Sequence, residues 1–177
     1  MVVEFELMEN ITRQFVSTSD LSVQSACLEE LEFLVHQVDN AADFVKLGGI
    51  DLVLNTVKVN NQSNELLSGA AKVLAAAAQG NKAVQIHILK QGGVEIILSK
   101  LADADVDILD KKRLIFAISA AIRNFPAAQK AFLEADGIGT LAGLIQEPTL
   151  AKNIITLFSD LGNQSNFFKL FFRFLFQ

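Results

Sequence analysis

Apolar residues along this chain fall in helix-period stripes that are cut at regular places. Such stripes, with apolar side chains three and four apart, predict amphipathic helices. The first clear one runs from residue 21 to about 37, behind Asp20, whose carboxylate suits the free N–H groups of a first turn. The pattern then predicts a short helix over 41–47, a medium one over 50–58 and a polar loop over 59–64, with Ser63 and Asn64 as caps. A long helix over 65–79 follows and breaks at Gly80-Asn81. The same order returns as 83–90, 94–101, a loop at 102–105 and a long helix reaching Asn124. Phe125-Pro126 breaks that helix, because the residue before a proline is disfavoured in the helical region. Stripes over 127–135 and 138–145 follow, and Pro148 suits the first turn of a last helix to about residue 161. Residues 1–19 are mixed and give only a short helix and a turn at 17–20.

The breaks carry a second signal. "KLGGI", "KQGGV" and "EADGI" place Gly49, Gly93 and Gly137 at a constant spacing of 44 residues. A fixed period of about 40–47 residues marks stacked helical repeats of the HEAT and armadillo type. Short, medium and long helices in each unit favour the three-helix armadillo form. The expected fold is therefore an all-α, right-handed α-solenoid of about four armadillo-like repeats over 20–166. Residues 1–19 precede it as an N-terminal segment, and 167–177 follow as an atypical Phe-rich segment. Gly49 and Gly93 are expected at positive φ, ending one helix and turning into the next.

Composition agrees with helix and narrows the function. Of 177 residues, 51% are hydrophobic and only 2 are Pro, with no Trp or Tyr. A net charge of −5 argues against nucleic acid as a partner, since nucleic-acid binders usually carry a basic patch. Cys27 is the one cysteine, so no intrachain disulfide can form. No apolar run approaches the roughly 20 residues of a membrane span. "MVVEFELMEN" has no basic n-region and is not expected to be a signal peptide.

Candidate chemistry is sparse. His36 and His87 have no partner at metal-ligand spacing. Asp103, Asp105 and Asp107 match the start of a calcium loop, but Ile108 stands where that loop needs Gly and Leu114 where it needs Glu. These acids fit a helix N-terminus better. "GIGT" at 137–140 lacks the strand and third glycine of a dinucleotide loop. No catalytic constellation, metal site or cofactor site is expected, and the chain is not expected to be an enzyme. Asn10, Asn61 and Asn163 each begin an Asn-x-Ser/Thr sequon, which is either coincidence or, in a secreted protein, a glycosylation candidate. "FFKLFFRFLF" at 167–176 aligns Lys169 and Arg173 on one side of a helix. It reads as a plug for the end of the solenoid, with a membrane-surface helix or a non-native end as alternatives.

"LEFLVHQVDNAADFVKLGGI" (31–50), "QGNKAVQIHILKQGGV" (79–94) and "KKRLIFAISAAIRNFPAAQKAFLEADGIGTLAGLI" (111–145) together resemble the armadillo-type nucleotide exchange factors of seventy-kilodalton heat-shock chaperones. They are most similar to the lumenal branch, which serves BiP in the endoplasmic reticulum. The resemblance implies a monomeric co-chaperone that clasps lobe II of the chaperone's nucleotide-binding domain and speeds ADP release. It also implies the endoplasmic reticulum lumen, with the cytoplasm as the alternative. The chain carries neither the signal peptide nor the retention-like tail of that branch, so it is expected to be a fragment, a variant or an isoform. The rival reading is an armadillo adaptor for a peptide or protein. Adaptors of that kind carry asparagines along the inner helices, where this chain has Glu32, Ala76 and Ala120.

The resemblance further implies that the partner lies along the face lined by the long helices. With Lys72 taken as inward-facing and a 44-residue period, that face holds Gln24, Leu28, Glu32 and Val35 on the first long helix. It holds Ser68, Lys72, Ala76 and Gln79 on the second, and Lys112, Phe116, Ala120 and Arg123 on the third. A shorter last offset adds Thr156 and Asp160. Lys72, Lys112 and Arg123 form a basic strip in this reading, because unpaired charges resist burial.

Overall fold

Each long helix starts at a side chain that accepts from a first-turn N–H, and these caps set the repeat. Asp20 accepts from Ser22 N at 2.9 Å, Ser63 Oγ from Leu66 N at 3.3 Å, and Asp107 from Leu109 N at 2.8 Å. Glu147 accepts from Thr149 N at 3.3 Å in front of Pro148. A computed structural model describes residues 2–59 and 63–164, with 167, 169 and 171. Among the described residues every regular element is an α-helix, eleven in all, and the protein is an α-solenoid.

Helix α1 spans Val2–Ser17 and α2 spans Leu21–Leu34. Three triplets of short, medium and long helix follow. The first is α3 (Val38–Lys46), α4 (Gly49–Lys58) and α5 (Asn64–Ala78). The second is α6 (Lys82–Lys90), α7 (Gly93–Ala102) and α8 (Ile108–Ile122). The third is α9 (Pro126–Glu134), α10 (Gly137–Leu144) and α11 (Pro148–Gly162). The long helices α2, α5, α8 and α11 pack side by side in that order, and one continuous core runs beneath them. The N-terminal segment is a full helix rather than a short one. Its Met8, Ile11 and Phe15 are buried in that same core.

The glycine turns follow the expected period but sit one residue earlier. Gly48 (φ 73°) and Gly92 (φ 67°) hold the left-handed conformation, and Asp136 (φ 52°) holds it in the third turn. Gly49, Gly93 and Gly137 instead open the next helix and lie outside the left-handed region. They are glycines for a different reason. A Cβ on Gly49 would overlap the ring of Phe44, and one on Gly137 the ring of Phe132. At Gly93 it would stand 2.6 Å from Ile88 Cγ2. Phe44, Ile88 and Phe132 are fully buried and close each short helix onto the start of the medium helix after it. The third turn tolerates Asp136 because its carboxylate accepts from Gly139 N at 3.2 Å, a local bond that eases a non-glycine residue into this region.

Most of the Phe-rich C-terminal segment lies outside the described residues. Of it, Phe167 is buried, and its ring stacks on Phe171 with centroids 6.3 Å apart.

The two glycines of the first turn should separate in a denaturation experiment. Gly48→Ala is expected to cost about 1 kcal/mol, the strain of a left-handed alanine, because nothing stands within 4 Å of the new methyl. Gly49→Ala is expected to cost about 2–3 kcal/mol, because the buried Phe44 ring must leave its rotamer. Equal urea midpoints for the two variants would remove the close approach as the cause.

Candidate functional site

The long helices leave a cleft of about 310 Å³ between α2, α5 and α8. Its sides come from Glu32 of α2 and His36 just past its end, Lys72 of α5 and its C-cap Gln79, and Phe116 of α8 and its C-cap Arg123. Ala75, Ala76, Ser119 and Ala120 form a floor of small side chains. Alanine is the best helix former and adds no bulk, so the floor follows from the same runs that let these helices pack closely.

Seven residues placed on the partner face by sequence line this cleft: Glu32, Lys72, Ala76, Gln79, Phe116, Ala120 and Arg123. Asp160 joins them from α11 by accepting from Arg123 Nη2 at 2.5 Å. Ser68 and Lys112 are half-buried, and Thr156 is exposed with its hydroxyl donated to the Lys152 carbonyl at 2.9 Å. Three expected residues do not face the cleft. Leu28 and Val35 are fully buried core residues. Gln24 donates to the carbonyls of Phe15 (3.2 Å) and Thr18 (3.1 Å), so it ties α1 to α2.

The cause is a one-residue change of register. The caps Asp20 and Ser63 are 43 residues apart, whereas Ser63 and Asp107 are 44 apart. A slip of one residue turns a helix face by about 100°. Counted from the caps, Ser25, Glu29, Phe33 and His36 take the places of Ser68, Lys72, Ala76 and Gln79, and all four are half-buried or exposed. Of these, His36 lines the cleft, beside Glu32. His36 was missed for the same reason, and the cap spacing was the signal that finds it.

The charges in the cleft are mostly paired. His36 Nε2, just past the end of α2, lies 2.9 Å from Glu32 Oε1. Arg123 is held by Asp160 and also reaches Ser119 Oγ at 3.4 Å. Lys72 is exposed and has no acidic partner among the described residues. The basic strip expected from Lys72, Lys112 and Arg123 therefore reduces to Lys72 within the cleft. At the base of α8, Arg113 donates to the buried Asp110 at 2.9 Å. Burial pushes the Asp110 carboxyl above its usual range, and Arg113 acts against that shift.

Buried amides fix the ends of the long helices around this cleft. Gln85 of α6 donates to the carbonyls of Ala120 (2.8 Å) and Arg123 (3.0 Å) at the end of α8. Gln129 of α9 donates to Ile122 O at 3.1 Å, and Asn40 of α3 to Leu34 O at 3.0 Å. Helix C-termini leave carbonyls without intrahelical partners, and these side chains supply the donors.

Among the described residues no group of three or more His, Cys, Asp or Glu is placed to hold a metal ion. No described helix is long and apolar enough to cross a membrane. Asn10 is exposed on α1 and Asn163 is exposed at the end of α11. Asn61 lies outside the described residues.

Residues 40–168 match the family model described as the SIL1/FES1/HPBP1 C-terminal domain. The nucleotide exchange factor SIL1 of Xenopus laevis is 34% identical over 161 residues, covering 89% of this chain and 35% of that protein. Hsp70-binding protein 1 of Homo sapiens is 30% identical over 129 residues, covering 73% of this chain and 35% of that protein. The chain thus spans about a third of the length of these curated relatives. The crystal structure of an engineered protein aligns with a TM-score of 0.77 at 20% identity, covering 86% of this chain and 61% of that one. At that identity the likeness concerns the fold.

Gln85→Met keeps the side chain's bulk but removes the donor to two carbonyls. It is expected to lower stability by about 1–3 kcal/mol, the cost of orphaned acceptors. A melting curve that matches the parent protein would dismiss the amide as a brace of the α8 end.

Proposed function

This chain belongs to the SIL1/FES1/HPBP1 family, and we propose that it is a co-chaperone that binds an Hsp70-type chaperone and promotes ADP release. The observation that carries the reading is the family match across the residues that build the α5 and α8 walls of the cleft. Relatives with this domain are named as nucleotide exchange factors and as an Hsp70-binding protein. We propose the nucleotide-binding domain as the bound part of the chaperone, and BiP in the endoplasmic reticulum lumen as the partner, because the SIL1 proteins are the more similar relatives. The sequons at Asn10, Asn61 and Asn163 are candidates for glycans in that compartment. The protein acts as a monomer in this reading.

No bond is made or broken by such a factor. It shifts the chaperone between a closed ADP-holding form and an open one. A ligand shifts a two-state equilibrium only by its difference in affinity for the two states. The cleft therefore has to fit the open lobe better than the closed one. Lys72, exposed and without an acidic partner among the described residues, suits a carboxylate on that lobe.

The test is release of a fluorescent ADP analogue from BiP and from a cytosolic Hsp70 with this chain added. Acceleration with preference for BiP is the expected result. No acceleration of either chaperone would leave the adaptor reading, and preference for the cytosolic one would move the protein to the cytoplasm. Lys72→Glu should weaken chaperone binding about tenfold or more by placing like charges together. Its helix content and melting temperature should stay near the parent's, because the side chain is exposed.

A further inference from the structure

The corrected register of α2 brings forward a residue that neither the packing nor the cleft walls explain. Counted from the caps Asp20, Ser63 and Asp107, Phe33 occupies the position that Ala76 and Ala120 hold on α5 and α8. On those helices the position forms the alanine floor of the cleft. On α2, at the open side of the cleft, it carries a phenylalanine. Phe33 is 76% exposed, the highest value for a large apolar side chain among the described residues.

Its neighbours place it at the margin of the cleft, beside the lining rather than in it. Glu32, the residue before it, and His36, one turn on, both line the cleft. On the far wall Phe116 lines the cleft and is 47% exposed. The alanines between them offer no bulk, and Lys72 stands exposed in the middle helix. Phe33 thus stands at the outer margin of the cleft and Phe116 in its far wall, with the alanine floor and Lys72, which has no acidic partner among the described residues, on the same face.

We propose that Phe33 is an apolar anchor of the partner-binding face, acting with Phe116 to grip a protein surface that presents an apolar ridge beside a carboxylate. The proposal rests on the chaperone-binding reading above and names how the bound lobe is recognised. The ridge enters over the alanine floor, the two rings close on its flanks, and Lys72 pairs with the acid. The grounds for this occupant are charge complementarity at Lys72 and continuity of Phe33 with the cleft. Aromatic side chains supply much of the energy of protein interfaces at little entropy cost, and a few of them commonly dominate binding.

The experiment measures the affinity of the full chain for the isolated nucleotide-binding domain of BiP by calorimetry. The parent protein must bind; if it does not, the chaperone reading itself fails. Where the parent binds, Phe33→Ala is expected to weaken affinity at least about tenfold. Val38→Ala, on α3 and also widely exposed at 60%, is expected to change it less than about twofold and serves as the control. The melting temperature of Phe33→Ala should stay within about 2 °C of the parent's, since no core contact is lost. A loss smaller than about tenfold for Phe33→Ala, or an equal loss for Val38→Ala, overturns the proposal while leaving the chaperone reading intact.

Discussion

The close approach of α5 to its two neighbours is the constraint on which the rest of the molecule depends. Nine of its 15 residues are buried: Leu66, Leu67, Ala70, Ala71, Val73, Leu74, Ala76, Ala77 and Ala78. A helix that is buried nearly all round can only sit between others. Its small residues then decide how near those others come. A Cβ on Gly69 would lie 2.9 Å from Leu28 of α2, so glycine at that point sets the α2–α5 distance. The alanines do the same toward α8. The cleft floor is the solvent-facing edge of these same small residues, so its shallow form is a consequence of helix packing and needs no further device.

Close packing leaves helix ends inside the structure, and the chain answers with amides carried on the short helices. Asn40, Gln85 and Gln129 each donate to carbonyls at the end of a long helix. Asn81 adds a link across units by donating to Val38 O at 2.9 Å. An amide suits this role better than a charged donor, because it satisfies the carbonyl without bringing a charge into a low-dielectric interior. The short helices thus do two separate jobs. Phe44, Ile88 and Phe132 press on the glycine that starts the medium helix, while the amides hold the long ones.

The solenoid was legible because its signals repeat. Breaks, caps and glycine pairs recurred at one period, and each repeat reinforced the others. What escaped was a shift of one residue, at two places. In the turns, Gly48 and Gly92 take the left-handed conformation while Gly49 and Gly93 make room for a neighbour; a pair of adjacent glycines does not say which is which. On α2, the period of 44 holds from α5 to α8 but is 43 from α2 to α5. That put Leu28 and Val35 on the open face when they belong to the core, and passed over His36 and Phe33. On α5 and α8, where the period holds, the same reasoning found Lys72, Ala76, Gln79, Phe116, Ala120 and Arg123. N-terminal α1 was hidden because its polar residues crowd a narrow apolar stripe of Met8, Ile11 and Phe15.

The packing also bears on how a factor of this kind can act. A protein that opens a partner must resist deformation more than the partner does, or the binding energy is absorbed in its own bending. Bending this solenoid along the cleft means parting α5 from α2 or from α8. Either motion pulls fully buried side chains such as Val73, Leu74, Ile115 and Ile118 away from their contacts, and close-packed interiors yield little to such strain. Parting α8 further would also disturb the Gln85 bonds that hold its end. The groups facing the cleft differ in kind, because Lys72, Phe116 and the Arg123–Asp160 pair are half-exposed or exposed and adjust without cost to the core. In the exchange activity we propose, a stiff frame with an adaptable surface leaves the partner as the softer member of the complex. The conformational change then falls on the chaperone lobe rather than on the solenoid.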